Sequence, residues 1–238
     1  MNVIALSSFW ALASALGVVI LATVCLFGGS ARPRGALAFG AFGIAWGLQV
    51  AFGNLANLTS SAGVASLLFM LFLVALLVAP YPLVEFAAAQ GEARPGAGWR
   101  ALRILTAGLS ILGACLLALK PEWFLAGVTR SDSFYAANWG PLYAPLVILP
   151  FYLAWAIAIV ALAQAYWSAA TPRLAIRSRT LLVGIGLFIA SITSNYAAFY
   201  TGQVVLGNAS GPNLLYALVF DGLALLVVWV VAGSFARA

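Results

Sequence analysis

Two carboxylates, Glu85 and Asp221, fall inside long apolar runs of the sequence. A charge in hydrocarbon is costly, so such residues face a bundle interior or a polar cavity and mark candidate binding or proton-handling sites. Asp221 stands in LVFDGLALLVVW with no basic residue expected at its depth. Either it is protonated and neutral, or polar neighbours hold its charge. Polar side chains expected at a similar depth are Gln49, Ser191, Asn195 and Tyr196. Ser191 and Asn195 are four residues apart and share a helical face. The cluster is either a ligand pocket or interhelical hydrogen-bond glue. Glu85, in APYPLVEFAAAQ, lies within a turn of a helix end, where it would pair with a loop arginine such as Arg94 or Arg100. A further group is aromatic: Trp123, Phe124, Phe134, Tyr135 and Trp139, with Asn138 among them. Trp123 and Trp139 are candidate anchors of a lid over the bundle.

The residues that are absent exclude more. The chain of 238 residues has eleven Lys or Arg, five Asp or Glu and no histidine. Without histidine there is no Ser-His-Asp or Cys-His catalysis, no bis-histidine haem and no histidine-rich metal site. Two cysteines, Cys25 and Cys115, cannot build a zinc site alone. The only lysine, Lys120, is expected in a loop, so no Schiff base forms within the helices. Two intramembrane acids at different depths do not make a proton path, and paired aspartates for intramembrane proteolysis are missing. The expectation is a protein that is not an enzyme and holds no cofactor or metal.

These residues must be positioned by a membrane fold. Charged side chains are 7% of the chain and apolar ones 65%, against about 25% charged in a soluble domain. Seven stretches reach the roughly 20 apolar residues that a helix needs to cross a bilayer. They are Val3–Phe27, Ala36–Leu55, Val64–Ala88, Ala101–Leu119, Pro141–Trp167, Thr180–Tyr200 and Asn213–Phe235. The breaks between them are rich in Gly, Pro, Asn and Ser, as helix ends require. The expected fold is all-α: a polytopic membrane protein formed as one seven-transmembrane-helix bundle over residues 1–238. The first stretch lacks a basic n-region and is expected to be a retained helix rather than a signal peptide.

Arg32, Arg34, Arg94, Arg100, Arg103, Arg173, Arg177, Arg179 and Arg237 fall on one side of these spans, and only Lys120 and Arg130 on the other. Basic loops stay inside, which puts the N-terminus outside and the C-terminus in the cytoplasm. The net charge of +6 thus reports orientation rather than nucleic-acid binding. A composition of prokaryotic character places the chain in the cell inner (plasma) membrane. On the second span, Ala36, Gly40, Gly43 and Gly47 form a small-residue seam for close helix packing. Pro80, Pro82, Pro145 and Pro150 should kink their helices. The outer segment between the fourth and fifth spans is long for a helix connection and is expected to cap the bundle. Cys25 and Cys115 lie at opposite depths, too far apart for a disulfide.

Several motifs together resemble the seven-helix N-terminal membrane sensor region of histidine kinases. They are ARPRGALAFGAFGIAWGLQVAF, APYPLVEFAAAQGEA, WGPLY, the basic hinge TPRLAIRSRTLLVGIG and SITSNYAAFYTG. The likeness covers nearly the whole chain, without a kinase domain, and implies a sensor with the topology already derived from the arginines. It carries over no catalytic residues.

The leading expectation is a non-enzymatic, receptor-like sensor that binds a small apolar or weakly polar ligand, or a partner helix. Its pocket would be Asp221, Asn195, Tyr196, Gln49 and Ser191 in the outer half of the bundle, with Trp123 and Trp139 as lid anchors. With only a short tail after the last span, output would pass through the inner loops to a separate signalling protein. The alternative is an accessory structural subunit of a larger membrane protein complex, in contact with lipid and protein. A small transporter ranks third, because the halves show no internal repeat.

Overall fold

The computed structural model describes residues 3–27, 35–90, 97–130, 135–176, 178–186 and 189. Helix α1 spans Val3–Phe27, α2 Ala36–Leu58, α3 Ala62–Val78, α4 Pro80–Ala88 and α5 Ala97–Leu119. A 3-10 turn at Pro121–Trp123 leads into strands β1, Leu125–Arg130, and β2, Tyr135–Trp139. A π-helical turn at Ala144–Ile148 opens α6, Leu149–Trp167, and residues 172–176 and 178–186 are again helical. Four stretches are long and apolar enough to cross a membrane: Ala36–Leu58, Ala62–Ala88, Gly98–Leu119 and Ala144–Trp167. A shorter apolar stretch, Phe9–Val24, lies within α1. The fold is that of a mostly helical, multi-pass membrane protein. The expected seventh span and most of the sixth lie outside the described residues.

Helix α2 is the hub, and glycine makes it so. A Cβ at Gly40 would stand 2.5 Å from Leu26 Cγ and 2.9 Å from the Ala22 carbonyl; one at Gly47 would stand 2.5 Å from Val19 Cγ2 and 3.0 Å from the Ala15 carbonyl. Gly43 faces Ala22 between them. As the numbers rise along α2 they fall along α1, so the two helices run antiparallel with their backbones close. This is the seam expected from the sequence. Another face of α2 is aromatic: Phe39 meets Phe86 of α4 at 5.2 Å, Phe42 meets Trp155 of α6 at 5.5 Å, and Trp46 stacks on Phe151 of α6 at 5.8 Å. A third side meets α3, where a Cβ at Gly53 would lie 3.3 Å from the Phe72 ring.

The prolines act where expected. Pro80 and Pro82 have no N–H to offer the preceding turn, so the third apolar stretch divides at Ala79 into α3 and α4. Ala79 itself still donates to the Ala75 carbonyl at 3.1 Å. The π-helical turn of the later span sits at Pro145, immediately before Pro150.

One expectation is corrected. The fold is not all-α, because the long connection after α5 folds as an antiparallel hairpin. Its pairs are Leu125↔Trp139, Gly127↔Asn138, Val128↔Ala137, Thr129↔Ala136 and Arg130↔Tyr135, with an irregularity between Leu125 and Gly127. Backbone that leaves a helix at a membrane boundary must find other partners, and a strand pair supplies them locally.

The α1–α2 seam predicts opposite responses at two glycines. Gly98, on α5, has open space where a Cβ would go. Gly98→Ala should leave stability unchanged or raise it by less than about 1 kcal/mol through helix propensity. Gly47→Ala should lower it by about 1–3 kcal/mol through overpacking. Thermal unfolding in detergent compares the two variants directly.

Candidate functional site

Two polar features are built into this apolar frame, one towards each end. At the end where α4 stops and α5 begins, Glu85 and Arg103 form a two-pronged ion pair. Arg103 Nε donates to Glu85 Oε1 at 2.5 Å and Nη2 donates to Oε2 at 2.6 Å. The partner is Arg103 rather than the expected Arg100. Arg94 lies outside the described residues, and Arg100 is exposed one turn closer to the helix end. Arg103 is deep enough on α5 to face the carboxylate, with its guanidinium fork matched to both oxygens. Tyr81, one turn before Glu85, interacts with the same carboxylate. One turn further along α5, the buried Thr106 hydroxyl donates to the Leu102 and Arg103 carbonyls, each at 3.0 Å. From the sequence alone Arg103 is only an orientation charge. The signal that would have found it is that Glu85 and Arg103 both lie within about two turns of the α4–α5 connection on antiparallel helices.

The second feature joins the hairpin to the bundle interior. Trp139 of β2 stacks on Tyr143 at 4.1 Å with the rings 9° from parallel. Its other neighbours are on α3: Phe72, stacked at 5.8 Å, and Phe69, edge-on at 5.9 Å. The hairpin is held at its base because Gly140 N–H donates to the Phe124 carbonyl at 2.9 Å, and a side chain at Gly140 would collide with the Trp123 backbone. The Tyr135 hydroxyl donates to the Ser60 carbonyl in the α2–α3 turn at 3.2 Å. Trp139 thus ties the hairpin to α3 and Tyr143 through ring contacts. Trp123 takes part through its backbone, accepting from Leu142 N–H at 2.8 Å, while its side chain is exposed.

Gln49 continues this column inward. Residues 42, 46, 49 and 53 recur at helical spacing on α2, so Gln49 lies between Trp46 and Gly53 on one stripe. Gly53 leads to the Phe72, Trp139 and Tyr143 layer, and Trp46 to the Phe151 and Trp155 layer. Gln49 is only 8% exposed, and its Oε1 accepts no hydrogen bond among the described residues. An orphaned buried acceptor costs about 1–3 kcal/mol and calls for a reason. Asp221, Asn195, Tyr196 and Ser191, the other expected members of the pocket, lie outside the described residues.

This arrangement is suited to binding. The aromatic layers supply apolar contact, and Gln49 supplies one acceptor within them. Among the described residues, no three of His, Cys, Asp and Glu gather as a metal would require. No protein-family model matches the chain, and no curated protein matches it.

The ion pair yields a charge-swap prediction. Glu85→Gln or Arg103→Gln alone should cost about 1.5–3 kcal/mol, since each leaves a partly buried charge without its partner. Combining Glu85→Arg with Arg103→Glu should recover most of the loss, and a double-mutant cycle by thermal unfolding measures the coupling.

Proposed function

We propose that the chain is a non-enzymatic, seven-helix membrane sensor with its N-terminus outside and its C-terminus in the cytoplasm of a prokaryotic plasma membrane. It binds a small, largely apolar ligand carrying a hydrogen-bond donor, in the half of the bundle beneath the hairpin. The observation that carries this reading is the buried Gln49 Oε1, without a hydrogen-bond partner among the described residues and on a stripe between two aromatic layers. Asp221, Ser191, Asn195 and Tyr196 complete the pocket in this reading, and Trp139 closes it from above. Occupancy shifts the helices around α2, and the shift reaches the arginine-bearing loops and a separate signalling protein.

A second reading is an accessory subunit of a larger membrane complex. It is favoured by α5: only 17% of its apolar window is buried against the rest of the chain, compared with 44% to 50% for the other three long stretches. Mild solubilisation followed by native electrophoresis separates the readings. Reproducible co-migration with a large complex supports the subunit, and a monodisperse monomer supports the sensor.

Gln49 gives the direct test of the pocket. If its oxygen is kept free for a ligand, Gln49→Leu should leave the melting temperature of the empty protein unchanged or raise it by a few degrees. The same substitution, and Asp221→Asn, should abolish the thermal shift that a panel of small apolar donors produces in the wild type. If Gln49 is structural glue, Gln49→Leu lowers the melting temperature instead. An Asp221→Asn protein that binds and signals like the wild type removes Asp221 from the pocket.

A further inference from the structure

The arginines at the α4–α5 end are more than an orientation signal. Glu85–Arg103 is the one ion pair among the described residues, so it takes up the acid that α4 brings to this end. Arg100, Arg173 and Arg179 are exposed and have no acidic partner among the described residues. On the same side of the spans the sequence offers only Glu92 as a further acid.

What lies beyond each arginine is as informative as the charge. The exposed face of α5 begins with Trp99 half-buried beside Arg100 and continues through Ile104, Gly108 and Ile111. Arg100, Ile104, Gly108 and Ile111 are three or four residues apart and form one ridge. At Gly108 the ridge is interrupted, because a Cβ there would meet nothing within 4 Å. The result is an open furrow about 12 Å along the helix from Arg100. The helical residues 172–176 and 178–186 repeat the pattern, with Arg173, Ile176, Arg179 and Val183 all exposed. Tyr166 and Trp167 are exposed at the neighbouring end of α6. Each face therefore presents a cation and an aromatic ring at the boundary, then an apolar track towards the bilayer centre.

We propose that this end of the bundle binds anionic phospholipid: the arginines hold the phosphate-bearing headgroup, and an acyl chain lies along α5 in the furrow at Gly108. The chemistry is that of Arg–phosphate hydrogen bonding at the depth where headgroups sit, followed by apolar contact below it. Charge complementarity selects the occupant, since a zwitterionic headgroup offers these cations no net attraction. The proposal does not depend on the sensor reading, and either can fail without the other.

The test uses the full chain purified in detergent, titrated with phosphatidylglycerol or phosphatidylcholine of the same acyl chains and followed by native mass spectrometry. The wild type should bind phosphatidylglycerol at least tenfold more tightly, with the preference weakening as salt is raised. Arg100→Gln, Arg173→Gln and Arg179→Gln together should reduce the preference to less than threefold, and Gly108→Leu should weaken both lipids by filling the furrow. Inorganic phosphate at the same concentration should not displace the bound lipid. Equal binding of the two lipids by the wild type overturns the proposal, as does a triple variant that keeps the full preference. Displacement by inorganic phosphate would show a free-anion site and overturn the lipid assignment. The wild-type comparison and its salt dependence decide the matter even if the triple variant does not fold.

Discussion

Hydrocarbon gives apolar helices no reason to leave lipid for one another, so close approach of backbones has to hold them together. In this protein that constraint converges on α2. Its glycine face lets α1 approach until Ala15, Val19, Ala22 and Leu26 occupy the space of absent side chains. Its aromatic face gives large surfaces to α4 and α6, which glycine could not. Small and large residues on neighbouring faces of one helix thus solve two packing problems at once. The placement of α4 and α6 follows from where α2 puts its rings.

The polar groups are then set by how little room this frame leaves them. Glu85 and Arg103 satisfy each other with parallel hydrogen bonds, and the pair ties the loosely covered α5 to α4. Nearer the hairpin, the frame is closed by stacked rings and by the Tyr135 hydroxyl reaching the Ser60 carbonyl. Between these two ends the Gln49 amide is enclosed, with no partner for its oxygen among the described residues. Because the partly buried Glu85 has its partner, the Gln49 amide is the more informative polar group among the described residues.

Much of this architecture was legible in the sequence because the bilayer imposes it directly. Runs of apolar residues located the four stretches long enough to cross a membrane, and helix α1, to within a few residues, since length against hydrocarbon thickness is nearly sufficient. Gly40, Gly43 and Gly47 announced their seam by spacing alone, and Pro80 and Pro82 announced the division of the third span by the donors they lack. The hairpin was not legible. Its strands, LAGVTR and YAANW, are short and mix small and polar residues, so their pairing depends on being brought together by α5 and α6. Arg103 was missed for a similar reason: its role depends on the relative depth of two helices, which no local pattern encodes. Of the candidate site, Gln49 and Trp139 stand out in the sequence by residue type and depth, whereas the lack of a partner for the Gln49 oxygen among the described residues is visible only in three dimensions.

The π-helical turn at Ala144–Ile148 has a consequence for the rotational phase of α6. A π-helical turn accommodates an additional residue within an otherwise α-helical course, and each residue advances an α-helix by about 100°. Phe151 and Trp155, which meet the α2 rings, both lie beyond that turn. Their direction is therefore indexed to the extra residue, not to the start of the helix. In this segment chain length matters more than side-chain identity: losing one residue from the turn would point a different strip of α6 at α2, although every remaining residue were unchanged.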